Sequence, residues 1–170
     1  MWARRTVVTA LALAGVSACA RTQPSKFRSY DGPEVTQILV IKGDRVMHLL
    51  NERKALKTYK VDLGFDPVGH KVSEGDGRTP EGLYRIDRRN PNSTYHLSLG
   101  ISYPNAADIA KAKALGKEPG GDIFIHGAAR KNWGKIGTPD WTAGCISVTD
   151  DEMEEVYAMV RDGTPIFIRA

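Results

Sequence analysis

The amino-acid sequence predicts a β-rich α+β fold in a single domain, on three observations. At 170 residues with 41% hydrophobic side chains, the chain suits one core rather than two. Its 9 prolines and 17 glycines fall between short β-branched runs, which is the punctuation of a sheet with many turns. Only two stretches, 105–115 and 151–161, carry the start and stop signals of helices. The sequence contains no internal repeat and no second linker.

Residues 1–18 open with the basic pair Arg4-Arg5, continue as an apolar stretch from 6 to 18 and end in small residues, the layout of a secretory signal. The apolar part is shorter than the ~20 residues that span a bilayer. Val16-Ser17-Ala18-Cys19 resembles the bacterial lipobox, which implies that Cys19 is acylated and becomes a new N-terminus. The alternative is an ordinary signal cleaved near Ala18 or Ala20. Several acyl chains, at ~0.8 kcal/mol per buried CH₂, anchor a protein firmly. Residues 19–33 are polar, with Pro24, Ser25 and Ser29, and are expected to form a lipid-anchored tether to a domain over 34–170. This arrangement places the domain on the periplasmic face of the cell envelope. Ala20, where enteric inner-membrane lipoproteins carry aspartate, favours the outer membrane. The formal charge of +4 falls to +2 without Arg4 and Arg5, and no basic run is interleaved with aromatics, which argues against nucleic acid as a partner.

In order, 35–41 (VTQILVI) and 45–50 (RVMHLL) predict a hairpin around Gly43-Asp44, and 56–63 (LKTYKVDL) alternates as a half-buried strand does. Residues 69–82 (GHKVSEGDGRTPEG) hold four glycines and one proline, so they predict a turn-rich connection that shapes a cleft wall. The spacing lacks the Lys-Ser/Thr ending of a phosphate-binding loop, while Lys71 and Arg78 are candidates to attract a substrate carboxylate. Strands follow at 83–87 and 95–101. Asn105 is a candidate N-cap for the first helix, with Ala107, Ile109, Ala110 and Ala114 expected inward and Gly116 as the stop. The second helix, 151–161, is expected to be capped by Thr149 or Asp150, with acidic residues in its first turn and Arg161 in its last. Residues 166–168 complete the sheet.

The chemistry concentrates in 122–149. The run Ile123-Phe124-Ile125 enters His126-Gly127, and Thr142-Ala143-Gly144-Cys145 leads into Ile146-Ser147-Val148. Nineteen positions separate the imidazole from the thiol, so they meet only if both runs are neighbouring strands. Cysteine is the strongest side-chain nucleophile near neutral pH, and an adjacent imidazole either holds it as thiolate or takes its proton. With Cys19 consumed by lipid, Cys145 is an unpaired thiol in an oxidising compartment, which raises the case for its use in acyl transfer. His70, His96, His126 and Cys145 show no short ligand spacing, so no metal site and no cofactor is expected.

His-Gly, a spacer of fifteen residues (127–141) and Thr-x-Gly-Cys together resemble the L,D-transpeptidase catalytic domain, the YkuD-like family, and EGDGRTPEG at 74–82 resembles a further segment of it. The resemblance covers roughly 35–169. It implies a mixed β-sandwich with two helices flanking the catalytic strands. It also implies Cys145 as nucleophile, His126 as general base and acid, the Gly127 carbonyl as the partner orienting His126, and backbone N–H groups of Cys145 with Gly144 or Ala143 for the oxyanion. Thr142, Trp141 and Arg78 are expected to bind substrate, and Trp133 with Trp141 either to form a lid that slows water entry or simply to pack the loop. The implied donor is a peptidoglycan stem peptide, and the implied acceptor is a diamino-acid side amine or a protein lysine. Ala143 stands where the family usually has a second histidine, and Ser147 where arginine is frequent, so the acceptor is left open. Hydrolysis of the thioester and a non-catalytic wall-binding lipoprotein are the competing readings.

Overall fold

The computed structural model describes residues 25–128 and 138–170; the signal segment, Cys19 and Trp133 lie outside the described residues. The strands are β1 (Gln37–Ile41), β2 (Val46–Asn51), β3 (Lys54–Lys60), β4 (Gly82–Asn90), β5 (Ser98–Ile101), β6 (Phe124–His126), β7 (Ile146–Ser147) and β8 (Pro165–Arg169). Helix α1 (Ala106–Ala114) lies between β5 and β6, and α2 (Asp150–Met159) lies between β7 and β8. The sheet order is β3-β2-β1-β8-β4-β5-β6-β7. The pairs β1–β8 and β6–β7 are parallel and the remaining neighbours antiparallel. Past β3 the chain crosses to the far edge, where Asp62 bridges Ser147 and Gly64 bridges Thr142. The expected β-rich α+β domain with two helices is therefore present, as one mixed sheet curled until its edges meet.

Alternation in β1 and β2 puts Ile38, Val40, Met47 and Leu49 inside, and β8 adds Ile166 and Ile168. Each such fully buried side chain contributes ~1.5–3 kcal/mol. Helix α2 covers β5 and β6 with Met153 and Val156. Both helices start at complete capping boxes, Asn105 with Asp108 and Thr149 with Glu152.

Three local expectations are corrected. Strand β5 starts at Ser98 rather than 95, because His96 takes a left-handed φ of +72° and Leu97 N–H turns back to Tyr95 O. Helix α1 faces inward through Asp108 and Ala112, while Ile109 is 48% exposed. The reason is that buried Asp108 accepts from Tyr84 Oη (3.0 Å) and pairs with His70 Nε2 (3.1 Å). Helix α2 ends at Met159, so Arg161 falls beyond its last turn and pairs with Glu34 at 3.7 Å. Residues 25–30 of the expected tether lie against the domain, with Arg28 Nε donating to Glu154 at 2.9 Å.

Candidate active site

The parallel pairing of β6 with β7 sets Ile125 opposite Ile146 and His126 opposite Ser147. That register puts Cys145 level with Phe124, two residues before His126 and on the same face, since strand side chains alternate. His126 and Cys145 accordingly line one cleft of about 280 Å³ together with Asn90, Ser93, Tyr95, Ser98 and Asp122.

His126 is 3% exposed. Its Nδ1 lies 2.6 Å from Gly127 O, which fixes Nδ1 as the protonated nitrogen and leaves Nε2 as the basic one. Tyr95 stacks on the imidazole at 4.4 Å between centroids, and Trp141 meets it edge-on at 5.7 Å. Gly127 admits no side chain, because a Cβ would fall 2.5 Å from Asp150 Oδ1 and 2.8 Å from Tyr95 O. Burial pushes the His126 pKa down, and the bond to Gly127 opposes this. Burial pushes the Cys145 pKa up; the Phe124 N–H, Lys71 and Arg88 pull it back while Asp122 adds to the rise. The resting pair is thus a neutral thiol and a neutral imidazole. The thiol rests 3.6 Å from the carbonyl of Asp122.

The turn that presents the sulfur is tied by Thr142. Its buried hydroxyl donates to Cys145 O (2.7 Å) and accepts from Gly144 N–H (3.1 Å). The Thr142 hydroxyl is thereby committed to the turn rather than to a substrate, and the Gly144 N–H points to that hydroxyl rather than to an oxyanion. Gly144 contributes its backbone: at φ +133° a Cβ would fall 2.7 Å from Arg78 O. Arg78 itself donates to Asp66 at 2.9 Å and is not among the residues lining the cleft. Trp141 donates its indole N–H to Asp62 at 3.1 Å, and its ring lies 6.0 Å from that of Tyr95 as well as 5.7 Å from the imidazole, so the three rings form one cluster.

Loop 69–82 packs behind the Gly144 turn but contributes no residue to the lining of the cleft, so it supports the site rather than forming the expected cleft wall. Lys42, 2% exposed, donates to Thr79 O (2.8 Å), to Gly69 O and to Glu81 (2.8 Å). Asp76 accepts from the N–H groups of Val72 (2.7 Å), Ser73 (3.0 Å) and Arg78 (3.0 Å) and from Lys71 Nζ (2.9 Å). Burial works against its ionised form, yet these donors hold its pKa at about 2.

Sequence reasoning did not single out Tyr95, Asp122 or Arg88. Arg88 stands over the Phe124 ring at 4.5 Å and pairs with Asp122 at 3.1 Å, beside the sulfur. Tyr95 had one usable signal, the polar Asn92-Ser93-Thr94 before it, which makes it a loop residue rather than a strand residue. Among the described residues no group of three His, Cys, Asp or Glu is placed to hold a metal, and no helix is long and apolar enough to cross a membrane.

Comparison with known proteins agrees with this geometry. The family model for the L,D-transpeptidase catalytic domain (YkuD) matches residues 36–168. YafK of Escherichia coli K12, provisionally assigned as an L,D-transpeptidase, is 28% identical over 129 residues, which are 72% of this chain and 46% of YafK. The chain thus spans about half the length of this curated relative. Among solved structures, the helical cell shape determining protein Pgp2 of Campylobacter jejuni superposes with a TM-score of 0.61 at 25% identity, over 82% of this chain and 49% of Pgp2. Bd1075 of Bdellovibrio bacteriovorus gives 0.57 at 25% identity, over 80% and 48%. An L,D-transpeptidase from Mycobacterium smegmatis, 15% identical with a TM-score of 0.54 over 80% and 59%, shares the fold. With the family model covering most of the chain and the His-Gly and Thr-x-Gly-Cys segments side by side in one cleft, this protein belongs to the L,D-transpeptidase catalytic domain (YkuD) family.

Proposed function

We propose that the protein transfers an acyl group from a peptidoglycan stem peptide to an amine through a thioester on Cys145. The observation that carries this reading is the shared cleft of Cys145 and His126, with Nδ1 committed to Gly127 and Nε2 left to accept a proton. Because both groups rest neutral, the thiol proton moves to Nε2 as sulfur attacks the donor carbonyl. A C–S bond forms and the carbonyl oxygen becomes an oxyanion. With Gly144 N–H held by Thr142, we assign the oxyanion to the N–H groups of Cys145 and Ala143. Collapse breaks the peptide C–N bond, and imidazolium returns its proton to the departing amine, a terminal D-alanine. The acceptor amine then loses a proton to Nε2, attacks the thioester and expels sulfur, which regains a proton. The acceptor is a diamino-acid side amine of a neighbouring stem or a protein lysine, and no cofactor takes part.

A second reading, hydrolysis, has water in place of the amine; Ala143, exposed beside the thiol in place of the second histidine usual in the family pattern, is what favours it. The test is intact-protein mass spectrometry after incubation with a tetrapeptide stem, then product analysis. A stem adduct that vanishes in Cys145→Ala supports the thioester. Cross-linked dimers identify transfer, freed stems identify hydrolysis, and no adduct on native protein rejects both in favour of a wall-binding role. We further propose that Cys19 is lipidated and that the domain works on the periplasmic face of the envelope, at the outer membrane. Metabolic labelling with a fatty acid, compared between native and Cys19→Ala chains, tests this.

A further inference from the structure

One wall of the cleft, the segment carrying Ser93, Thr94 and Tyr95, is backed by residues that precede the family match. Lys26 Nζ donates to Pro91 O and to His96 O (3.0 Å), so one ammonium joins both ends of the loop. Arg28 spans three carboxylates of α2: Glu154 at 2.9 Å, Asp151 at 3.5 Å and Glu155 at 3.5 Å. Glu154 is shared, since its other oxygen meets His96 Nε2 at 2.9 Å. Burial works against the charged form of Glu154, but its bonds to His96 and Arg28 hold its pKa below the ordinary value. Phe27 lies 6.2 Å from Tyr157, whose ring also carries the Arg89 guanidinium at 3.9 Å. The loop needs such support. His96 sits at φ +72°, a conformation that L side chains seldom adopt unless neighbouring contacts impose it. Immediately before it, Tyr95 stacks on the imidazole and its carbonyl accepts from Gly127 N–H at 3.1 Å.

We propose that residues 25–30 are a strap that positions the 91–96 wall, with Lys26 and Arg28 as positioning residues acting through His96 and Tyr95 on the substrate side of the cleft. The strap touches neither the sulfur nor the imidazole, so it governs how a stem peptide seats rather than the reactivity of the thiol. The kinetic part of this proposal rests on the acyl-transfer reading given above; the structural part does not.

The test uses the full chain and three variants: Lys26→Ala with Arg28→Ala combined, Lys26→Arg alone, and Arg28→Lys alone. Amide hydrogen exchange is followed in 92–97 and, as reference, in β1 and β8. The double variant is expected to speed exchange in 92–97 at least tenfold with the reference strands unchanged, and both conservative variants to stay within threefold of native. On a tetrapeptide stem, the double variant is expected to raise KM three- to tenfold with kcat within twofold. Its rate of Cys145 alkylation by iodoacetamide, a reagent too small to need the wall, should follow the native pH profile. Unchanged exchange in 92–97 overturns the proposal whatever the turnover. So does an equal rise throughout the sheet, which would make the segment a general stabiliser. A loosened wall with native KM overturns the positioning role. If the native chain turns over no stem at all, the acyl-transfer reading fails, and the exchange measurement still decides the strap.

Discussion

The two loops that support the cleft, one behind the thiol turn and one forming its Tyr95 wall, are fastened by ions in opposite surroundings. Behind Gly144, loop 69–82 is pinned from inside: Lys42 and Lys71 are both almost fully buried, and their partners are mostly backbone carbonyls and the enclosed Asp76. Behind Tyr95, loop 91–96 is pinned from outside, by Lys26 and by an Arg28 whose side chain is 39% exposed. Buried pairs are little screened and costly to break one-sidedly, whereas exposed pairs weaken with salt and contribute little each. The first loop is thus a fixed frame for the sulfur. The second can yield without disturbing the core.

The severest way to break the fixed frame is to push its backbone away from the thiol turn. Gly144→Ala places a methyl group 2.7 Å from Arg78 O at a φ that alanine resists, so either the turn or the loop shifts. A displacement near 1 Å at a reacting group costs on the order of 100-fold in rate. The expected outcome is a folded protein whose rate of stem-adduct formation, followed by mass spectrometry, falls at least that far. Next in size is Lys42→Met, which leaves Glu81 and two carbonyls without their cation. One-sided loss from a buried pair costs 3–5 kcal/mol, and Glu81 retains some access to water, so about 3 kcal/mol is expected in urea unfolding. Arg28→Ala should leave the urea midpoint where it was, and that contrast is what separates the loops.

The frame was partly legible in the sequence. Four glycines in 69–82 announced a close backbone approach, and the His-Gly and Thr-x-Gly-Cys segments announced strands that must pair. The sheet's β-rich character followed from short β-branched runs punctuated by glycine and proline, because such punctuation leaves no room for long helices. What stayed hidden depends on tertiary partners. Nothing in the local pattern shows that Asp108 turns inward, since its burial is set by Tyr84 and His70, distant in order. Lys42 reads as a surface lysine after a strand until Gly69, Thr79 and Glu81 are folded over it. Arg28 reads as part of a polar tether because its three partners lie more than 120 positions away. The inward commitment of the Thr142 hydroxyl is not legible either, because a motif states which residues recur and not which way each polar atom turns.

Acid should loosen the fixed loop in a defined window. The Asp76 carboxyl is depressed to about 2 from an ordinary 3.8. A carboxyl depressed on folding stabilises above its unfolded pKa, and that contribution disappears as pH falls through the folded value. At ~1.4 kcal/mol per pH unit the contribution is about 2 kcal/mol at neutral pH. Asp76→Asn should therefore lower stability at pH 7, with the difference from native closing between pH 4 and pH 2. A gap that persists at pH 2 would mean that the carboxamide disrupts the loop by shape and not by charge.

The smallest effect sharpens the comparison most, because it sets one cation from each environment against the same sulfur. Lys71 is buried in the fixed loop, and Arg88 is 41% exposed beside Asp122; both favour the thiolate of Cys145, whose pKa burial otherwise raises. Removing either cation leaves the thiolate less stabilised, so the midpoint of iodoacetamide alkylation against pH should move up in Lys71→Met and in Arg88→Ala. The two shifts should differ in their response to salt. At 1 M salt the screening length is ~3 Å, and the Arg88 side chain is 41% exposed, so the native and Arg88→Ala profiles should converge. Lys71 is 3% exposed and buried charges are little screened, so the Lys71→Met shift should persist. Convergence of both pairs would mean that water reaches the sulfur from the glycine-loop side as well, and the distinction between a fixed and a yielding loop would then fail at the atom where it matters most.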